Sequence, residues 1–322
     1  MTNAAASDAL RVGLYGLNGH QIARQLVDHP LARCVAVAGF GDAGPPDGAS
    51  NLERLEVMLA DDSVDLVSLC SPRRAEQARH AIDALEAGKH VYAEKPSALT
   101  EAELDAIVDA TERTGKSYHE MAGSMLMQPY RAMREVVRSG RIGDIVQVIA
   151  QKSYPYFDGR PGDEAVDGGL FLQVGVHAAR WVEHVAGVRM TEITGRETIH
   201  GNPRRPVDGL RMASVCHAAL ENGGVAAITC NYLNRKQATA IWGYEELRIW
   251  GTQGFVESLR GGQITRLVIG DEDHGELDVS AGTLDYFDLI AAHLVNGDPM
   301  PLTLEEELHP TRMLLRAKAA MP

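Results

Sequence analysis

The run from Val64 to Pro96 constrains the fold most: VDLVSLCSP, then RRAEQARHAIDALEAGK, then HVYAEKP. Its first part is apolar and β-branched and stops at a proline, which predicts a buried strand. In the second part Ala75, Ala78, Ile82 and Leu85 recur at helical spacing, and Gly88 stands where a helix C-terminus is capped. HVYA, His90–Ala93, is a second short strand. Strand, amphipathic helix and strand in sequence make a βαβ unit, which requires a parallel sheet covered by helices.

The flanking sequence extends that pattern. RVGLYG (Arg11–Gly16) and CVAVAGF (Cys34–Phe40) read as further strands. Thr100 and Glu103 form a capping box, and Leu104, Ile107, Val108 and Thr111 supply one face of the helix it starts. From about Gly143 the pattern changes to long strand-like segments with Gly or Asn turns: GDIVQVIAQKSYPYF, TEITGRETIH, ASVCHAALENGGVAAITCNYL, ELRIWGTQGFVES and ITRLVIG. These predict an antiparallel sheet. From Thr283 helical spacing returns, with Phe287, Ile290, Ala291 and Leu294, then Leu308, Met313, Leu314 and Leu315. The 322 residues are thus read as an α/β domain over 1–122, a second domain over 123–282, and helices over 283–322 that pack back on the first.

Composition excludes several classes. A formal charge of −13 argues against a surface for nucleic acid phosphates. Cys34, Cys70, Cys216 and Cys230 are far apart with no CxxC spacing, so neither a metal site nor a disulfide framework is expected. MTNAAASDAL lacks the charged start and apolar core of a secretion signal, and no stretch is apolar enough to span a bilayer, so a cytoplasmic protein is expected.

GLYGLNGHQIARQL follows the first strand and reads as the turn that opens the first helix, where free N–H groups can hold a pyrophosphate. Counted from Gly16, Asn18 and Gln21 stand where a G-x-G-x-x-G loop has its second and third glycines. Any strand-to-helix turn favours glycine, so the loop alone does not decide the matter. No acid ends the second strand; Asp42 comes slightly late, which leaves NAD and NADP both open. Lys95 follows the strand His90–Ala93, at the edge where open α/β sheets bind ligands, and Pro96 biases its backbone to be extended. A solvated turn lysine is the other reading of the same residues.

With VDLVSLCSP, EAGKHVYAEKP, MREVVRSGRIGDIVQV, DGGLFLQVGVHAARWVEHVAG and LRIWGTQGFVES in order, the chain resembles the glucose-fructose oxidoreductase, inositol dehydrogenase and rhizopine catabolism (Gfo/Idh/MocA) family over nearly its whole length. Glu94-Lys95-Pro96 and Gly175-x-His177 are the most specific parts of the likeness. The resemblance implies an N-terminal Rossmann domain and a C-terminal α+β domain on a large open-faced, mainly antiparallel sheet. It also implies oxidation or reduction of a small hydroxylated or carbonyl substrate with NAD or NADP. Cofactor contacts are then expected from Gly16, Leu17, Asn18, Gly19, His20, Gln21, Asp42, Cys70, Ser71, Pro72, Glu94 and Lys95.

LFLQVGVHAARWVEHVAG is apolar nearly all round, interrupted by Gln173, His177, Arg180 and His184 on one helical face. Such a stripe faces either a cavity or hydrogen-bonded core partners. By resemblance His177 is the general acid/base, with Lys95 on the same substrate oxygen. Departures from the family accompany the match. Gln173 stands where family dehydrogenases with a Lys/Asp/His set carry aspartate, Arg180 replaces another frequent aspartate, and Leu126 replaces the arginine of an Arg-x-x-Pro pattern ending at Pro129. Arg180 either clamps a substrate anion or pairs with Glu183 or Glu164. The expected substrate set is Lys95, Tyr156, Gln173, His177 and Arg180, with Tyr154 and Tyr156 sharing one face of a strand. His119 and Glu120 end a strand and could reach the cleft; Arg204 and Arg205 form a loop that could close over it. Trp242 and Trp250 are placed in the sheet whose open face makes a homodimer or homotetramer. Two other functions fit the same fold: a sensing protein without turnover, as in the family's galactose-pathway co-repressor, and an NAD-dependent glycosidase.

Overall fold

The computed structural model describes residues 9–204 and 208–321, so Arg205 lies outside the described residues. The chain divides into two compact units. One runs through Met121 and includes Ala165–Asp167 and Asp285–Leu308; the other comprises Ala122–Glu164, Gly168–Leu284 and the segment from His309.

In the first unit β1 (Leu10–Tyr15), β2 (Ala32–Ala38), β3 (Ser50–Leu52), β4 (Leu66–Leu69), β5 (His90–Ala93) and β6 (Tyr118–Glu120) form a parallel sheet in the order β3-β2-β1-β4-β5-β6. Every residue of β4 is buried, as a strand covered on both faces requires. The helices α1 (Leu55–Leu59), α2 (Gln77–Glu86) and α3 (Glu101–Thr114) belong to this unit. The predicted capping box starts α3: the Thr100 hydroxyl accepts the Glu103 N–H at 3.2 Å, and the Glu103 carboxylate accepts the Thr100 N–H at 3.0 Å. Leu104 and Ile107 are fully buried on its inner face, each contributing roughly 1.5–3 kcal/mol of transfer free energy.

The glycine loop does not open an α-helix, contrary to the sequence expectation. Only a 3₁₀ turn, Ile22–Arg24, follows it. Asp28 takes a φ of 55° and Pro30 comes two residues later, so the segment is cut off before helical hydrogen bonding can propagate.

The second unit is built on β7 (Ile145–Pro155), β8 (Met190–Thr198), β9 (Ala213–Leu220), β10 (Val225–Asn234), β11 (Tyr244–Gly251), β12 (Gly254–Leu259), β13 (Ile264–Ile269) and β14 (Glu272–Gly275). Their order is β14-β13-β12-β11-β7-β10-β9-β8, antiparallel throughout except for the β7–β10 pair. Along β9, Ser214, Cys216 and Ala218 are buried while Val215 is 53% exposed, the alternation of a sheet covered on one face only. The same stretch of chain holds α4 (Tyr130–Arg138), α5 (Glu164–Asp167), α6 (Gly169–Arg180) and α7 (Lys236–Thr239). Of these, α6 packs on β7, β9 and β10.

Two C-terminal helices, α8 (Tyr286–Asn296) and α9 (Leu304–Ala320), follow. Phe287 and Ile290 of α8, and Leu308, Met313, Leu314 and Leu315 of α9, are buried as their spacing predicts. Among the described residues no helix is long and apolar enough to cross a membrane.

Two placements differ from the sequence reading. β7 ends at Pro155, which has no N–H for the ladder, so Tyr156 lies beyond the strand and not on one face with Tyr154. Trp242 lies in the loop before β11; Trp250 is within it.

Candidate active site

In the first unit the predicted cofactor residues gather at the carboxyl ends of β1, β4 and β5. Gly16 has a φ of 72°, and a Cβ there would collide with the Cys70 carbonyl, so the loop after β1 rests directly on the turn after β4. Asn18 reinforces that contact, its N–H donating to the Cys70 carbonyl at 3.2 Å and its amide Nδ2 to the Pro72 carbonyl at 3.2 Å. Gln21 fills the space below. Its Nε2 donates to the Gly16 carbonyl at 3.0 Å, and its Oε1 accepts from the Ser68 hydroxyl at 2.6 Å and the Ile22 N–H at 3.0 Å. The side chain thus caps the 3₁₀ turn where a third glycine would have let a helix start. Ser71 bonds His80 Nδ1 at 3.0 Å, and burial, with Arg79 beside it, holds that imidazole below its usual pKa. Leu17 and His20 are exposed, as is Asp42 in a 3₁₀ turn, Gly41–Ala43, beyond β2.

Glu94 and Lys95 are the buried centre of this group, with side chains 1% and 3% exposed and 3.4 Å apart. The Glu94 carboxylate also accepts the backbone N–H of His20, the His20 Nδ1–H at 2.9 Å and the Lys95 N–H at 3.1 Å. A Cβ at Gly19 would collide with the same carboxylate. Burial opposes ionisation of Glu94, but Lys95 and His20 outweigh it and hold the carboxyl far below the usual range. The loop therefore fits an anion, because it already presents a peptide N–H and an imidazole to one. That anion is the chain's own.

Several buried polar residues support these two loops, and of these Arg74, Gln77, Ser97 and Glu307 were missed by sequence reasoning. Arg74 Nη2 donates to the Asn18 carbonyl at 2.7 Å and its Nη1 to the Gln77 side chain, whose Nε2 donates to the carbonyls of Glu94 and Pro96. This chain of bonds ties the glycine loop to the Lys95 turn. Arg74 and Gln77, three residues apart on the inward face of an otherwise alanine-lined segment, were the available signal. Glu120 accepts the N–H and hydroxyl of Ser97, each at 2.8 Å, and His119 Nδ1 meets Glu307 at 2.8 Å. All four polar side chains are buried, so His119 and Glu120 brace the turn after Lys95.

In the second unit α6 carries the predicted polar stripe. Gln173 and His177, one turn apart, are its half-buried residues, and the remainder of α6 is buried. Arg180 is 1% exposed, with Nη1 3.4 Å from the Ala122 carbonyl. Glu183 pairs with His309, and Glu164 with Lys318. Directly after Arg180 the helix widens to a π turn, Trp181–Val185, which rotates buried His184 away from the stripe's period. Gly175 is not a forced close approach: a Cβ would meet Cys230 Sγ at 3.6 Å, an ordinary contact.

The sheet answers this helix with aromatic and cationic side chains. The Tyr232 hydroxyl donates to Gln173 Oε1 at 3.4 Å, and the Arg160 guanidinium lies 3.8 Å over the Tyr232 ring. Lys152, on the buried face of β7, pairs with Glu245, which also accepts the Tyr130 hydroxyl at 2.8 Å. Trp181 stacks on Tyr130 at 4.3 Å. Tyr156, past the end of β7, donates its hydroxyl to Asp158 at 3.0 Å. Arg204 bonds the Asp158 carbonyl and pairs with Asp208.

Comparison with known proteins adds the following. Residues 11–121 match the family described as oxidoreductase family, NAD-binding Rossmann fold, and residues 130–257 match the GFO/IDH/MocA C-terminal domain. An uncharacterized oxidoreductase of Bacillus subtilis is 25% identical over 202 residues, 61% of this chain and 56% of that protein. A myo-inositol 2-dehydrogenase of Thermotoga maritima is 22% identical over 221 residues, 67% of this chain and 62% of that protein. The aligned stretches thus span less than two thirds of these relatives. A solved chain from Thermotoga maritima superposes with a TM-score of 0.84 at 21% identity, covering 97% of both chains, which shows a shared fold.

Proposed function

Because this chain belongs to the GFO/IDH/MocA oxidoreductase family, we propose that it is an NAD(P)-dependent enzyme. In this reading it moves hydride between nicotinamide and a carbinol or carbonyl carbon of a sugar, cyclitol, sugar acid or similar small molecule. The observation that carries the reading is the ammonium of Lys95, its side chain 3% exposed just beyond the carboxyl end of β5. Burying that charge is costly, and the pairing with Glu94 offsets only part of the lost hydration. A cation kept in such a place, at the ligand-binding edge of a parallel sheet, serves chemistry.

The residues that would hold the dinucleotide are those of the Gly16–Gln21 loop, the Cys70–Pro72 turn and Asp42, with Glu94 at the loop as the anion that a pyrophosphate would have to displace or share it with. When bound, it supplies the hydride acceptor. Lys95 donates a hydrogen bond to the reacting oxygen and favours its alkoxide character. His177 takes the hydroxyl proton as hydride leaves carbon and returns it in the reverse direction. Gln173 offers an amide to a neighbouring hydroxyl but, unlike an aspartate, neither takes a proton nor offsets the lysine charge. Tyr156 and Arg180 complete the proposed substrate set. A dimer or tetramer through the open face of the large sheet covers Val215 and Val225, which are 53% and 51% exposed and share one face of that sheet.

The test is direct. NAD or NADP at millimolar concentration should raise the melting temperature by mass action, and nicotinamide absorbance with a panel of sugars, cyclitols and sugar acids should then report turnover. If neither nucleotide shifts the melting temperature, the reading fails.

A further inference from the structure

The second unit contains a cavity of about 720 Å3 whose lining includes Tyr156, Phe157, Asn234, Arg235, Lys236 and Trp242. We infer that it binds a hydroxylated ring bearing an anionic substituent, a carboxylate or a phosphate. The proposal rests on the reading of this chain as an oxidoreductase of small hydroxylated rings, and it narrows the substrate class.

Three observations converge. Trp242 and Phe157 are 47% and 44% exposed, with ring centroids 6.2 Å apart, so two flat apolar surfaces meet at one cavity. The C–H face of a pyranose or cyclitol ring gains dispersion contact on such surfaces while its hydroxyls stay in water. The aromatic wall is also held in place. Buried Asn234 donates from Nδ2 to the carbonyls of Ile241 and Trp242 at 2.6 and 2.9 Å and accepts the Thr239 hydroxyl at 3.2 Å, closing the loop that presents Trp242.

The second observation is charge. The chain has 44 acidic and 31 basic residues, yet none of the described residues lining this cavity is acidic. Lys236 Nζ lies 5.2 Å over the Trp242 ring, and neither it nor Arg235 forms an ion pair among the described residues. The nearby carboxylate of Asp158 lies outside the lining and accepts the Tyr156 hydroxyl. Two cations beside an aromatic wall suit an anionic group, which Arg can take bidentately and Lys as a point charge. The size suits a small ligand, since such pockets run to roughly 300–1,000 Å3.

The third is continuity with the helix that carries His177. Gln173 bonds Tyr232, Tyr232 stacks on Arg160, the Arg160 guanidinium lies 4.5 Å over Phe157, and Phe157 meets Trp242. The cavity is thereby joined by successive direct contacts to Gln173, one helical turn from the proposed acid/base.

Tryptophan fluorescence of the protein without nucleotide, titrated with glucuronate, glucose 6-phosphate and glucose, tests the inference. At least one anionic sugar should bind about tenfold or more tighter than glucose, and the arm that binds identifies carboxylate or phosphate. In Arg235→Gln/Lys236→Gln its affinity should fall about tenfold or more with that for glucose unchanged, and calorimetry on Trp242→Leu should show weakened binding of both. Equal affinity for glucose and the anionic sugars, no binding of either anion, or an unchanged double variant overturns the proposal. So does a Trp242→Leu protein that changes only its oligomeric state. Because nucleotide is absent, these outcomes are independent of the melting-shift test, and either reading can fail alone.

Discussion

The carboxylate of Glu94 accepts both the backbone N–H and the imidazole Nδ1–H of His20, the latter at 2.9 Å. An acid from the end of β5 thereby fills the anion-holding position of the glycine loop after β1. A pyrophosphate taking the same N–H must displace this carboxylate or share the loop with it, and two anions on one donor repel. Glu94→Gln keeps an acceptor for the N–H while removing the charge. Dinucleotide Kd, measured by calorimetry, should fall by about tenfold; a weaker Kd would show that the carboxylate orders the loop for its ligand.

His177→Ala should lower kcat by about 10²–10⁴ with KM for the substrate little changed, as loss of a proton-transfer group requires. Steady-state kinetics on any substrate that turns over provides the check. Unchanged turnover would remove the imidazole from the reaction.

Acid should weaken the fold through His90. Burial, with Lys116 second, lowers its pKa to about 4, and its Nδ1 accepts the Ser117 N–H at 3.0 Å, which only the neutral ring can do. Unfolded, the ring titrates near 6.5. Between those values the unfolded chain binds a proton that the folded chain excludes, so stability falls as pH drops from about 6.5 toward 4. Because the ring is half-buried, its share is on the order of 1 kcal/mol. Thermal melts at pH 7 and pH 5 should show a smaller loss for His90→Gln than for the parent protein.

Thr100→Ala should destabilise the first unit by about 1 kcal/mol, the usual contribution of an N-cap. Gly16→Ala should cost more, about 1–3 kcal/mol or greater, since it combines positive φ with a collision at the Cys70 carbonyl. Chemical denaturation of both variants orders the two effects; a milder Gly16→Ala would mean that the loop can yield.

The fold was legible in the sequence wherever one local rule acted alone. Spacing of Ala78 and Leu85, the Thr100 cap and the period-two alternation of β9 each follow from backbone geometry and burial. The glycine loop was not legible. Its sequence promised a helix, but Asp28, Pro30 and the side chain of Gln21 together shortened it to one 3₁₀ turn. Likewise the stripe on α6 was visible as a pattern, while the π turn at Trp181–Val185 decided that His184 leaves it.

By itself, then, the sequence determined the two kinds of sheet, the elements that build them and the positions of Lys95 and His177, because periodicity and capping are short-range. Only the tertiary structure decided that Glu94 occupies the glycine loop, that Arg74 and Gln77 tie that loop to the Lys95 turn, and that Trp242 and Phe157 face one cavity. Those contacts join residues far apart in the chain, and which donor meets which acceptor depends on how the intervening elements pack.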